Sequence, residues 1–179
     1  MLFRSGMKAV AKHFPGHGAV IADSHTEQPI DTRPAVEIEK DIKPYLDLID
    51  SGLPGIMTAH IIYPSIDERI ATFSNIWLKT RLREKYSYDG LIFSDDLTMQ
   101  SAVEIGSMQE RIQLALDAGC DFILWCHPDE SIYSVLSELS VDVIDKSESY
   151  QRIRPSKDLF NQKTLEKGIQ ELNSLLNMK

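Results

Sequence analysis

The stretch GLIFSDDLTM, residues 90–99, sets a short apolar run directly before a pair of carboxylates. Leu91, Ile92 and Phe93 behind a glycine read as a buried strand, with Ser94, Asp95 and Asp96 standing at its carboxyl end. Helical periodicity follows from about residue 102 to 118, closed by Gly119. The same order recurs on either side. Upstream, residues 7–14 form a strand candidate ending in Lys12, His13 and Phe14; a long loop runs to Pro34, and a helix over 36–51 stops at Gly52. A second candidate, 55–60, ends in His60; its loop over 61–72 leads to a helix near 75–85, with Ser74 as its cap. Downstream, residues 121–126 give way to His127, Pro128 and Asp129 and a helix over 131–139.

Strands alternating with helices require a parallel sheet covered by helices, so the fold class is α/β, either a barrel or a doubly wound sheet. In both, ligands collect at the carboxyl ends of the strands. Here those ends carry His13, His60, Asp95 and His127, an ordering that five scattered histidines would rarely produce. Residues 1–140 are read as the α/β region, and 141–179 as a tail on the same domain, closing in a helix through Leu165, Ile169, Leu172 and Leu176.

With 179 residues the chain is short for a complete (β/α)8 barrel, which takes roughly 250 residues. A net charge of -8 supplies no field for nucleic acid or an anionic membrane surface, so a neutral or small polar ligand is the expected partner. Cys120 and Cys126 make neither a disulfide framework nor a zinc spacing, which favours a reducing compartment, the cytoplasm. No apolar run has the length of a membrane span or of a signal peptide.

The densest chemistry lies in KHFPGHGAVIADSH, residues 12–25. Pro15, Gly16 and Gly18 shape a loop that brings Lys12, His13, His17, Asp23 and His25 to one rim. In Asp23-Ser24-His25 the carboxylate is close enough to accept one imidazole N–H and fix the tautomer, leaving the other nitrogen to exchange protons with a ligand. Taken alone, such a D-x-H more often stabilises its own loop. His13, His17, Asp23 and His25 are also acceptable metal ligands, but Pro15 and Gly16 break the helix that would align the two histidines, and no metal or other cofactor is expected. Of Asp95 and Asp96, one is expected to be held as a nucleophile or base and the other to cap the next turn. His60 either binds a ligand or ties down its neighbouring loop. Trp77, Met99 and Met108 read as packing residues.

K-H-F-P-G-H-G followed by D-S-H, then M-T-A-H-x-x-Y-P, then F-S-D-D-L-T-M resembles the β-N-acetylhexosaminidases of glycoside hydrolase family 3, over residues from about 6 to 126. The resemblance implies the carboxy-terminal half of a TIM barrel, about four β/α units. It further implies a retaining glycosidase that removes N-acetylglucosamine from peptidoglycan-derived muropeptides or another β-N-acetylhexosaminide. Position by position, Asp95 matches the nucleophile that forms a covalent glycosyl-enzyme, and His25, held by Asp23, the acid/base. Lys12 and His13 match residues that bind sugar hydroxyls; His60 lies on a matching motif and is placed with them as substrate-binding. A D-Q-E-G-G segment and the aspartate and arginine that grip the sugar in the family do not occur here. A missing amino-terminal half-barrel, or self-association, is therefore an expected partner. A catalytically silent half-barrel and a metal-dependent hydrolase on a doubly wound sheet are the competing readings.

Overall fold

The computed structural model describes residues 7–139 together with Gln151, Ile153, Arg154, Glu166, Lys167, Ile169, Gln170 and Asn173. Residues of Val10–Ile144 belong to one compact unit, and those of Met1–Ala9 and Asp145–Lys179 to another. In the second unit Gln151, Ile153, Glu166, Lys167, Ile169, Gln170 and Asn173 are helical. Most of the tail expected over 141–179, including Leu165, Leu172 and Leu176 of its closing helix, lies outside the described residues.

The first unit contains strands β1 (Val10–Phe14), β2 (Gly55–Thr58), β3 (Ile62–Tyr63), β4 (Asp67–Ile70), β5 (Leu91–Asp96) and β6 (Phe122–Leu124). The four apolar runs form one parallel sheet in the order β1-β2-β5-β6. Met57 pairs with Phe93, and Phe93 with Phe122, so the strand ends lie side by side. Two departures from regular pairing fall at the polar ends: the β1 ladder slips between Ala11 and Phe14, and the β5–β6 ladder between Phe93 and Asp96. Such bulges re-aim side chains, and here they fall at His13 and at the aspartate pair.

Strand alternation sends Ile56, Thr58, Ile92 and Ser94 to one face, where all four are fully buried. Burial of an isoleucine there stabilises by about 1.5–3 kcal/mol. Met57, Phe93 and Phe122 remain partly exposed, and the two phenylalanine rings stack at 5.1 Å. Helix α1 (Ala35–Asp50) buries Ile38, Ile42 and Tyr45 at helical spacing, and Tyr45 meets Phe14 edge to face at 5.4 Å. Trp77 is fully buried and makes a similar contact with Phe14 at 5.9 Å, while Met99 is nearly buried and Met108 partly so, in keeping with packing roles.

Three segments differ from the sequence reading. The loop over 61–72 contains the antiparallel β3–β4 pair, whose strands are too short for alternation to show. Helix Ile76–Lys85 is π-wound, ending with Tyr86 N donating to Arg81 O at 2.9 Å. Ser74 does cap it, accepting from Trp77 N at 3.1 Å. The single helix expected over 102–118 is two, α2 (Gln100–Val103) and α3 (Met108–Ala118). Gly106, at φ +152°, ends the first, and a capping box between Ser107 and Glu110 starts the second. Gly119 takes the left-handed cap at φ +120°, as expected. Helix α4 (Ile132–Glu138) follows β6 and buries no side chain.

Candidate active site

Asp95 and Asp96, adjacent in sequence, are put to different uses. Asp96 is an anchor: its carboxylate accepts from Thr98 N at 3.0 Å, Thr98 Oγ1 at 2.6 Å and Cys126 N at 3.1 Å. Burial works against its ionisation, but these bonds outweigh it and hold the carboxyl below its ordinary value. Among the described residues Asp95 is tied on one oxygen only, by Asp96 N at 2.9 Å. Its other oxygen faces His13 Nε2 at 3.6 Å, across the end of β2. Asp95 therefore has the arrangement a nucleophile or base needs, one oxygen held and one presented.

His13 sits between the two halves of the site. Burial lowers its pKa, Asp95 opposes that, and Lys12, His17 and His25 add to the lowering. Charges from the loop after β1 and from β5 thus act on one imidazole. Lys12, the preceding residue, is exposed. The His17 ring lies 5.8 Å from that of His13, edge to face.

The Asp23–His25 pair forms as the spacing suggested. Asp23 Oδ1 accepts from His25 Nδ1 at 2.8 Å and from the His25 amide at 2.9 Å. Those two bonds, the backbone one first, hold the Asp23 carboxyl below its usual range. With Nδ1–H committed to Asp23, Nε2 of His25 is left for proton exchange with a ligand. Both side chains are exposed, while Ser24 between them is buried. Its carbonyl accepts from Ser101 N at 3.3 Å and its hydroxyl lies 3.4 Å from His17 Nε2. The dyad is therefore pinned at its middle residue to the segment that follows Asp95. Nothing in the sequence singled out Ser101.

His60 takes the second of its two expected roles. It is fully buried, with Nδ1 2.9 Å from Thr72 Oγ1 and Nε2 3.1 Å from the Asp96 carbonyl. Arg111 of α3, also buried, donates to the Leu97 carbonyl, a second brace on the same turn that the sequence did not mark. His127 is exposed, its carbonyl accepting from Trp125 Nε1 at 3.1 Å. Among the described residues no three His, Cys, Asp or Glu side chains are grouped as a metal ion would require.

These features define an α/β domain with a parallel sheet, whose carboxylate and imidazole groups converge at the carboxyl ends of the strands. The chain belongs to glycosyl hydrolase family 3, whose N-terminal domain matches residues 2–155. It is 47% identical over 150 residues to a β-hexosaminidase of Tolumonas auensis, covering 83% of this chain and 45% of that one. A β-hexosaminidase of Nitrosomonas eutropha is 50% identical over 135 residues, 75% of this chain and 39% of the relative. Among solved structures, NagZ from Neisseria gonorrhoeae in complex with N-trifluoroacetyl-D-glucosamine superposes with a TM-score of 0.73 at 38% identity, covering 84% of this chain and 43% of NagZ. The chain thus spans less than half the length of these relatives.

Proposed function

We propose that this chain carries the nucleophile and the acid/base of a retaining β-N-acetylhexosaminidase, on four β/α units that form the carboxy-terminal half of a TIM barrel. The observation that carries the reading is the pairing of a presented Asp95 oxygen at the end of β5 with a preformed Asp23–His25 dyad on the loop after β1. The names of the relatives and the N-acetylglucosamine analogue bound to NagZ support the substrate class. Terminal N-acetylglucosamine on muropeptides is the substrate we assign, and the cytoplasm, in keeping with a chain of only two cysteines, the compartment. The half-barrel is supported by strands in sequential order, each running parallel to the next, and by Met57, Phe93 and Phe122 left partly exposed.

In the first step the His25 imidazolium gives its proton to the leaving oxygen as the Asp95 carboxylate attacks the anomeric carbon, forming a glycosyl ester. In the second, neutral His25 removes a proton from water as that water displaces Asp95 from the sugar. An imidazole, with an unperturbed pKa near 6.5, suits both steps near neutrality, where a carboxylic acid would have to be raised. Lys12 and His13 are assigned to the sugar hydroxyls.

The sugar-gripping aspartate and arginine of the family are assigned to a complementary half. Release of 4-nitrophenol from 4-nitrophenyl N-acetyl-β-D-glucosaminide is therefore expected to be weak for the isolated chain. Adding the amino-terminal half of the Tolumonas auensis relative should raise it, with loss on Asp95→Ala. Robust turnover by the chain alone would refute the account of the missing half; reconstituted turnover unaffected by Asp95→Ala would refute the nucleophile.

A further inference from the structure

We propose that His60 is a positioning residue for Asp95, acting through the Asp96 peptide; the inference rests on Asp95 being the nucleophile. A carbonyl oxygen only accepts, so the 3.1 Å contact between His60 Nε2 and Asp96 O places a proton on Nε2. Asp96 N in turn donates to Asp95 Oδ1 at 2.9 Å. Two consecutive bonds thus connect a buried ring to the nucleophile, one on each side of the same residue. A displacement of Asp96 moves the held oxygen of Asp95 and redirects the oxygen that faces His13.

The ring itself has no freedom to turn. It lies nearly parallel to Phe73, at 5.9 Å and 14°, with no exposed surface. Nδ1 meets Thr72 Oγ1 at 2.9 Å, and that hydroxyl is 2.8 Å from Thr58 Oγ1. With Nε2 protonated and the ring neutral, Nδ1 accepts from the Thr72 hydroxyl, which also lies 3.1 Å from the Ala59 carbonyl, while Thr58 Oγ1 sits between Thr72 Oγ1 and the Phe93 carbonyl at 3.2 Å. Thr58 belongs to β2 and Thr72 to the turn after β4, so two separate segments of the chain hold one imidazole in place.

Burial lowers the pKa of His60 against the raising influence of Asp95 and Asp96, with His13 adding to the lowering. A permanent cation here would attract the Asp95 carboxylate inward and blunt its attack, whereas a neutral donor holds the backbone and leaves the carboxylate charge to the substrate.

The test uses the whole chain with 15N-labelled histidine and 13C-labelled aspartate carboxyl groups. In the wild type, His60 is expected to show the neutral Nε2–H tautomer while free imidazole titrates, near pH 6.5. Thr72→Val keeps the side-chain shape and removes the donor to Nδ1. It is expected to loosen the ring and to shift the Asp95 carboxyl signal and its titration midpoint, with the Asp23 signal unmoved. His60→Gln, which retains an N–H for the Asp96 carbonyl, should lie closer to the wild type than His60→Leu. If His60→Leu does not fold, Thr72→Val decides. An imidazolium or Nδ1–H ring in the wild type overturns the proposal. So does an Asp95 signal and midpoint unchanged in Thr72→Val, or an Asp23 shift as large as that of Asp95. Turnover is read separately, in the reconstituted enzyme. Thr72→Val and His60→Gln are expected to lower kcat by about tenfold to a hundredfold, with KM changed less than about twofold. Wild-type reconstitution without turnover would count against the assigned function, while the carboxyl signals still judge the positioning.

Discussion

Exchange of Asp96 for alanine is expected to destabilise the fold, whereas the same exchange at Asp95 should leave the fold nearly untouched and remove the chemistry. The difference follows from the bonds each carboxylate makes. Asp96 accepts three, from Thr98 N, Thr98 Oγ1 and Cys126 N, and two of those donors are backbone amides. Bonds to a charged acceptor are worth about 1.5–3 kcal/mol each when well buried, roughly 5–9 kcal/mol for three. Cys126 is exposed and the Thr98 hydroxyl can turn to water, so about half of that is a fair expectation, roughly 2–4 kcal/mol. Asp95 accepts one bond, from Asp96 N, and on the same halved scale its loss should cost about 1 kcal/mol. Urea unfolding at pH 7 measures both, provided the slope with denaturant is the same in all variants. The Asp96 contribution should also depend on pH in a definite direction. Its folded carboxyl titrates below its unfolded value, so its stabilisation is present above about pH 3.9 and is lost as the pH falls through the folded value. Equal stability losses for the two alanine variants, or an Asp96→Ala chain within about 0.5 kcal/mol of wild type, would refute the division of labour.

Three further outcomes are expected. Burial disfavours the Glu39 carboxylate, but bonds from Arg81, from Lys85 at 3.0 Å and from Tyr86 at 2.9 Å hold its pKa down at about 2. Its stabilisation is thus full above the unfolded value of 4.5 and fades as the pH falls toward about 2; Glu39→Gln should flatten that limb in urea midpoints measured against pH. Ser107→Ala removes one side of the capping box and should cost about 1 kcal/mol, seen as a lowered urea midpoint. In the reconstituted enzyme His25→Ala should slow glycosides with alkyl leaving groups far more than 4-nitrophenyl ones, which need no proton; equal losses would sink the acid/base role.

What the sequence shows and what it hides are separated by the kind of signal involved. The strands and the chemistry at their ends were legible because burial imposes a pattern on composition: Ile56, Ile92 and their neighbours had to be apolar, and polar residues could enter only where the strands end. The break between α2 and α3 was also written in the chain, as Gly106 and Ser107-x-x-Glu110, but the apolar periodicity on either side ran across it. Helix Ile76–Lys85 left no such mark. Trp77, Leu78 and Leu82 would lie together in an α-helix as readily as in a π-helix, so buried positions cannot report the winding.

His60 is the sharper case. A histidine at a strand end reads the same whether its ring faces ligand or core, and the two are separated only by bonds to Thr72 and Asp96, which lie 12 and 36 residues away in the chain. The paired aspartates pose that problem in miniature. Both are acidic, both sit at the end of one strand, and the bulge against β6 that separates them is set by the neighbouring strand. Sequence pattern therefore identifies which residues reach the rim of the sheet. Which of them is presented to a substrate, and which is spent holding the others in place, is decided by partners distant in the chain.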